Sequence, residues 1–437
     1  MKILIFSILV VFGTHELVAQ QYRSLQEVIA SALENNYSIQ MIRNRQQIAE
    51  NNFSLGNAGY LPSLDLRGQY SGTRNTTDRT DFDGNQTTLR NIHNTVASTS
   101  LNLGWTVFDG FRVQINYDKL ATLKEMGELN TQRAIENLVA NITAEYYNLV
   151  QQKQLLNNLK FAVELSRERV RIDEERFLLG SGSKLQLLQA EVFLNADSSR
   201  MGRQEEVVRA SRVRLNELMA MENLRYNLRL SDTIIPLNDI MIYETLEASA
   251  LRNNTALRAS AKNQQISAYD KRLVASQAYP WVSLNTGYGY NYSTFQAGTF
   301  SDQQAYGMNY SVTLGFNVFD GFNRRRQISN ATIENENARL AYEETEKAVM
   351  SDLITIYNEY LNNFRLLDLE EQNLDVAYET LDIAMERYRL GALSGIELRE
   401  VQKNLLEAEE RLLSIQYRTK LAEISLLQIA GRVLEYL

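Results

Sequence analysis

Few side chains in this sequence could make or break bonds. There is no cysteine, and the two histidines are His15, in an apolar leader, and His93. That composition excludes thiolate metal sites and disulfides, and most histidine-based triads and multi-histidine metal sites. Carboxylates remain, and most of them read as helix-surface charge. The pair Glu397 and Glu400 follows a glycine-containing stretch at a spacing of three, so the two carboxylates share one helix face. Two readings stay open on the residues alone. The face is simply solvated, or copies of it converge on an axis and form a carboxylate ring that favours cations.

The elements that carry this pair occur twice. VFDGF ends at Phe111 and again at Phe322, so Asp109 recurs as Asp320; Gly180 recurs as Gly391. On the same spacing Glu397 and Glu400 correspond to Gln186 and Gln189, which are neutral. Upstream, SALENN at Ser31–Asn36 recurs as SALRNN at Ser249–Asn254, and Pro62 recurs as Pro280, with a spacing seven residues longer. The extra residues of the first copy therefore lie between the proline and VFDGF, where a surface loop tolerates them. The domain reading is a leader over 1–19, repeat one over 20–226, a linker over 227–241 and repeat two over 242–437. Each repeat has the order helix, strand pair, long helix, return helix.

Before each VFDGF the sequence alternates. Leu64, Leu66 and Tyr70 oppose Asp65, Arg67 and Gln69, and Leu101, Leu103 and Trp105 oppose Ser100, Asn102 and Gly104. In the second copy Leu284, Tyr288 and Tyr290 precede a run from Tyr306 to Val318 with the same period of two. Such runs of about ten residues with aromatics towards the ends match membrane β-strands. An ordinary half-buried antiparallel sheet shows the same alternation. The intervening segments, Arg74–Asn94 and Thr294–Ala305, are polar and rich in turn formers, and read as water-exposed links. Four strands cannot close a barrel, because about eight is the practical minimum. They also leave two edges that lipid does not tolerate. A membrane location therefore requires several copies of the chain to share one barrel.

From Phe111 to Gly180 no proline interrupts a helical pattern. Ile142, Leu149, Leu156, Val163 and Val170 recur every seven residues, and their counterparts are Leu353, Tyr360, Leu367, Leu374 and Leu381. That stripe predicts coiled-coil packing of a helix about 100 Å long at 1.5 Å per residue. Each long helix is expected to end at a glycine turn, RFLLGSGS (Arg176–Ser183) and RYRLGALSG (Arg387–Gly395). Return helices are expected over Leu185–Ala220 and Ile396–Ala430, and single leading helices over Ser24–Asn57 and Leu246–Ala278. Ser24 and Glu27 have the spacing of a capping box. At the opposite junctions, Phe108, Asp109 and Gly110 and then Phe319, Asp320 and Gly321 lie where strand gives way to helix. The phenylalanines suit a membrane edge and the aspartates a helix cap, although a plain turn motif would use the same residues.

The N-terminal MKILIFSILVVFGTHELVAQQ reads as a secretory signal, with Lys2 basic, Ile3–Phe12 apolar and Ala19 small before the cut. The formal charge is −8, and an acidic chain without a basic run is a poor nucleic-acid binder. The candidate function classes are an export duct, an enzyme, and a periplasmic or surface coiled-coil structural protein. The spacer would explain the helices but not the alternating strands.

The ordered set ALENN, GYLPSLDL, VFDGFNRRRQI and R-[FY]-x-L-G, mostly present twice, resembles the TolC-like outer-membrane efflux factor family. The resemblance covers the whole chain after the leader. It implies a mixed fold, a membrane β-barrel continuing into a long α-helical barrel. Each chain would contribute two structural repeats and four strands, with the barrel closed as a twelve-stranded homotrimer in outer-membrane lipid. It implies passive export without a cofactor. It also implies a periplasmic adaptor docked at the helix tips (Leu179, Gly180 and Ser181; Leu390, Gly391 and Ala392) and an inner-membrane transporter of RND, ABC or MFS type. Finally, it implies a periplasmic gate at Glu397 and Glu400, with Gln186 and Gln189 as repeat-one counterparts; the family pattern has aspartates where this chain has the two glutamates.

Overall fold

The structure is a computed structural model that describes residues 22–238 and 240–437. The leader over 1–19 lies outside the described residues. In chain order the elements are β1 (Tyr22–Arg23), α1 (Leu25–Asn35), α2 (Tyr37–Asn52), α3 (Leu55–Ala58), β2 (Ser63–Thr80), β3 (Gln86–Phe108), α4 (Arg112–Leu178), α5 (Lys184–Leu218), β4 (Arg229–Leu230), α6 (Tyr243–Asn253), α7 (Thr255–Ser276), β5 (Trp281–Thr294), β6 (Asp302–Gly315), α8 (Asn323–Arg389) and α9 (Gly395–Ile429), followed by a 3₁₀ turn at Val433–Tyr436. Both long helices have 67 residues and both return helices 35. Two compact units result. One comprises the described residues up to Met41 with Arg133–Asn254 and Val349–Leu437, and the other Ile42–Gln132 with Thr255–Ala348.

The first unit is helical. None of the ten stripe residues is exposed, and Ile142, Leu149, Leu353 and Tyr360 are fully buried. One core gathers α1, the middle of α4 and the end of α5 around residues such as Val28, Val139, Tyr146 and Leu215, and another joins Leu246, Leu353 and Leu426. The 227–241 segment is fixed to α9 through Glu423. Its carboxylate accepts from Asn238 Nδ2 at 2.7 Å, Lys420 Nζ at 2.8 Å and the Tyr436 hydroxyl at 2.8 Å.

The leading helices correct the sequence reading. The first is broken at Asn36 and again before the short α3, and the second at Asn254; the two asparagines have ψ of 122° and 120°. The Asn36 amide Nδ2 donates to Leu218 O, and the Asn254 amide to Ile429 O, both at 2.9 Å. Each asparagine thus satisfies an orphan carbonyl at the end of its return helix, which explains the repeated ALxNN string. Ser24 and Glu27 form a reciprocal capping box on α1.

The second unit contains a four-stranded antiparallel sheet in the order β2-β3-β5-β6. The register places Leu66 opposite Leu101, Leu101 opposite Tyr288, and Tyr288 opposite Met308, which makes one face apolar across all four strands. The other face carries Arg67, Ser100, Gly289 and Gly307 in register. The apolar face is uncovered, with Leu66 at 76% and Tyr310 at 81% relative exposure. The first link is shorter than the sequence suggested. Strand continues to Thr80 and resumes at Gln86, so Arg74–Asn94 is mostly a hairpin ribbon. Cross-strand partners such as Asp78 with Thr88 and Arg79 with Thr87 hold that ribbon without a hydrophobic face. Conversely, β6 stops at Gly315, so Phe316–Val318 are not strand. Beside the sheet, α4 forms ion pairs with α7, Lys119 with Asp270 and Glu125 with Lys262.

Candidate functional site

The sequence-predicted site residues fall into two groups, one in each unit. In the second unit lie the strand-to-helix junctions. Gly110 and Phe111 both have positive φ, 71° and 69°, and so do Gly321 and Phe322, 67° and 61°. This double left-handed turn redirects the chain into the long helix. Asp109 Oδ1 accepts from Val113 N at 3.1 Å and Asp320 Oδ2 from Arg324 N at 2.8 Å, which satisfies one first-turn donor in each case. Phe108 stacks edge-to-face on Phe111 at 5.2 Å, and Phe319 on Phe322 at 5.3 Å.

In the first unit lie the helix turns. α4 ends in a Schellman arrangement, in which Ser181 N donates to Arg176 O at 2.9 Å and Gly180 N to Phe177 O at 3.1 Å. α8 ends identically, with Ala392 N to Arg387 O at 2.8 Å and Gly391 N to Tyr388 O at 3.0 Å. Gly180 and Gly391 take φ of 72° and 77°, which a side chain resists. Leu179 and Leu390 are among the most exposed large apolar residues, and Ser181 and Ala392 are exposed beside them. Arg176 joins the two turns by donating to Tyr388 O.

The gate candidates start the return helices. Glu397 closes a capping box on α9. Ser394 N donates to its Oε2 at 2.9 Å, and Glu397 N donates to Ser394 Oγ at 3.2 Å. The backbone bond from Ser394 holds the Glu397 carboxyl below its ordinary range, so its charge persists as the pH falls. Gln186 makes the same box with Ser183 in the first repeat, with Ser183 N donating to Gln186 Oε1 at 3.0 Å. Glu400 is exposed and makes only a loose 3.9 Å approach to Lys403 Nζ. Gln189 is half-buried on α5.

Behind these turns lies a buried polar network that the sequence analysis did not find. Asp197 on α5, 1% exposed, accepts from Arg399 on α9 through both oxygens at 2.6 and 2.8 Å, and from Ser166 Oγ on α4 at 2.6 Å. The guanidinium groups of Arg399 and Arg169 each lie 5.0 Å from the Phe193 ring centroid. The Tyr388 hydroxyl on α8 donates to Asp173 on α4, and burial beside that carboxylate pushes Tyr388 up to about 12. Every one of these contacts joins a first-repeat helix to a second-repeat helix or braces one that does. Counting along the repeat, Asp197 corresponds to Ala408, Arg399 to Leu188 and Asp173 to Ala384. The one sequence signal for the network is therefore that the two copies disagree there, polar against apolar.

The described residues contain no group of acidic or histidine side chains placed to hold a metal. No described helix is long and apolar enough to cross a membrane. In the second unit the membrane-compatible surface is the uncovered apolar sheet face. In the first unit the helices pack through a buried stripe and end in ordered turns.

Comparison with known proteins gives the family. The sequence pattern described as "Outer membrane efflux protein" matches residues 28–220 and 246–432, and the chain belongs to that family. It is 19% identical over 412 residues to the outer membrane efflux protein BepC of Brucella suis biovar 1 (strain 1330), covering 94% of this chain and 86% of that one. It is 22% identical over 423 residues to the cation efflux system protein CusC of Escherichia coli (strain K12), covering 93% and 86%. Its fold matches the outer membrane protein VceC of Vibrio cholerae with a TM-score of 0.74 at 17% identity, over 93% of this chain and 96% of that one. A membrane protein of Pseudomonas aeruginosa matches with a TM-score of 0.79 at 16% identity, over 93% of each. The fold is that of TolC-like channels, which combine an α-helical barrel with a β-barrel. The chain is accordingly an efflux channel of the outer membrane that extends into the periplasm, a passive conduit rather than an enzyme.

Proposed function

We propose that three copies of this chain form one export duct, each supplying a duplicated unit, 20–226 and 242–437, joined through 227–241. The observation that carries this is the four-stranded sheet with two unpaired outer strands and one wholly uncovered apolar face. Lipid accepts the face but not the edges. Three such sheets give twelve strands, above the roughly eight needed for closure.

The turns at Leu179–Ser181 and Leu390–Ala392 dock a periplasmic adaptor, which connects the duct to an inner-membrane transporter of RND, ABC or MFS type. Their support is ordered backbone with exposed leucines, a rigid apolar surface suited to a partner. Glu400 and Glu397 from three copies form the periplasmic gate as a six-carboxylate ring that favours cations. The relative CusC is named for cation efflux, and the ring chemistry here is compatible with a positively charged cargo.

Light scattering on the detergent-extracted protein tests assembly, and planar-bilayer reversal potentials test selectivity. A trimer that conducts with cation preference is expected. A monodisperse monomer recovered in native form without detergent would overturn the reading.

A further inference from the structure

We infer that a cavity at the base of the sheet is a subsite for aromatic zwitterions, in which Arg112 takes the carboxylate, Asp109 the ammonium and Trp281 the ring. This rests on the duct reading above and names a cargo class for it. The cavity has a volume of about 580 Å³ and lies where the end of β3, the start of α4, the end of α7 and the start of β5 meet. That is room for a small organic molecule. Its wall includes Thr106 and Ser283, opposed in register on the polar face of the sheet, and Trp281, which shares that face. Lipid covers the opposite, apolar face, so the cavity looks into the conduit. Its two strands, β3 and β5, are the inner pair of the sheet, so closing a barrel through the outer strands leaves it open.

Two opposite charges line this cavity without pairing. Asp109 and Arg112 stand close in sequence where β3 gives way to α4, yet neither forms an ion pair among the described residues. Asp109 spends Oδ1 on Val113 N, and its other oxygen has no hydrogen-bond partner among the described residues. The second junction treats the same charge differently. There the cap aspartate, Asp320, has the guanidinium of Arg324 at 4.0 Å. Arg324 corresponds to Val113, and Arg112 corresponds to the neutral Asn323. The first junction thus carries its arginine one position earlier, apart from the cap carboxylate and on the cavity wall. The aromatic part is equally one-sided. Trp281 and Tyr279 line the cavity, 42% and 53% exposed, and their counterparts in the first repeat are Ser63 and Leu61. Trp281 is seated against β6, where a Cβ on Gly315 would collide with its indole. Tyr279 is braced edge-to-face on Phe111 at 6.0 Å. A held indole, a free guanidinium and a half-used carboxylate in one concavity match a planar ring that bears both charges. A ligand with a single charge would meet one like-charged wall. A zwitterion has no net charge, so a cation-favouring ring does not bar it.

The probe is naphthylalanine, a zwitterion, compared with naphthylpropionate, which keeps only the carboxylate, and naphthylethylamine, which keeps only the ammonium. Binding to the full detergent-extracted channel is measured by titration calorimetry at neutral pH, and block of the ionic current by the same probes in planar bilayers. The zwitterion is expected to bind at least about tenfold more tightly than either single-charge probe, which is what one hydrogen bond to a charged group contributes. The repeat supplies variants whose residues already stand at the matching positions: Arg112→Asn, Trp281→Ser and Val113→Arg. Arg112→Asn should bring the zwitterion and the amine within about threefold of each other. Trp281→Ser should weaken all three probes about fivefold, the loss of one aromatic contact. Val113→Arg gives Asp109 the partner that Asp320 has, and should weaken the zwitterion and the amine without weakening the propionate. Equal affinities for the three probes would overturn the two-charge subsite. Affinities unchanged in both Arg112→Asn and Trp281→Ser would overturn its location. A channel that conducts normally but binds none of the probes sinks the subsite and leaves the duct standing, whereas a protein that never conducts sinks the duct reading itself.

Discussion

Replacing Asp197 by alanine should unfasten the start of α9, where the proposed gate carboxylates lie. Asp197 is 1% exposed and accepts three hydrogen bonds, two from Arg399 and one from Ser166. Removing one partner of a buried pair costs about 3–5 kcal/mol, chiefly because the remaining charge is stranded. Arg399 keeps 18% side-chain exposure and can rehydrate in part, which places the cost near the lower bound, at about 3 kcal/mol. Arg399 sits one turn into α9, so the loss falls on local opening of that helix start. About 3 kcal/mol corresponds to roughly 150-fold faster amide exchange there if opening precedes exchange.

The assay is hydrogen exchange by mass spectrometry on the assembled channel in detergent, following the peptide that covers 395–405, with single-channel conductance alongside. The repeat supplies the control. The counterparts of Asp197 and Arg399 are Ala408 and Leu188, so the fold already accepts alanine and leucine at these positions. Combining Asp197→Ala with Arg399→Leu strands no charge and should restore at least about 1 kcal/mol of the protection lost by Asp197→Ala alone, because the two changes are coupled. Conductance should rise in the single variant. Unchanged protection in the single variant, or a double variant whose loss equals the sum of both singles within about 0.5 kcal/mol, would refute the fastening role.

Other outcomes follow from the same region. Glu400→Gln should reduce cation selectivity in planar bilayers more per substitution than any change in stability, because its carboxylate makes no close bond; unaltered reversal potentials would remove it from the gate. Glu397→Gln should keep the α9 cap, since Gln186 builds the same box, whereas Glu397→Ala should lower helix stability by removing the acceptor for Ser394 N; equal melting of the two variants would contradict this. Gly391→Glu should abolish export while trimers still form, because it places bulk at φ 77° on the turn proposed to dock an adaptor, where no described residue lies within 4 Å; normal export would count against adaptor contact there. Glu409 is buried with Oε2 unpartnered, Oε1 accepts from Tyr378 at 2.6 Å, and burial raises its pKa. A raised carboxyl contributes stability below its unfolded pKa and loses it as pH rises through the folded one. Glu409→Gln should therefore be neutral or stabilising at pH 8 and lose that advantage at pH 4; thermal melts that rank the other way would overturn the assignment.

The parts of this fold that were readable in the sequence are those set by short-range periodicity. A seven-residue stripe and a two-residue alternation are both visible in single copies, and duplication doubled each signal. The misread parts depend on long-range partners. Asn36 interrupts its helix because its amide reaches Leu218, 182 residues away, and no local pattern separates it from a helical asparagine. The hairpin ribbon from Arg74 to Asn94 lacks an apolar face, so alternation could not mark it, and cross-strand pairing alone makes it strand. The bond from Tyr388 to Asp173 spans 215 positions, and that from Arg399 to Asp197 spans 202. The Ser394–Glu397 box has a local signature, S-x-x-E after a glycine turn.

The two copies of the unit also separate scaffold from function. Where both need the same job, the residues agree in chemistry: glycine at both turns, asparagine at both helix breaks, aspartate before both long helices. Where they disagree, one copy does something the other does not. Position 397 shows how far this can be pushed. The cap needs only an acceptor oxygen, which a neutral amide provides at Gln186, so nothing in the local fold demands a charge at Glu397. The first repeat fills both positions with neutral residues, Gln186 and Gln189, so the charges at Glu397 and Glu400 are particular to the second copy. These two carboxylates are what the proposed cation-favouring ring would draw on, and neutralising them is its test.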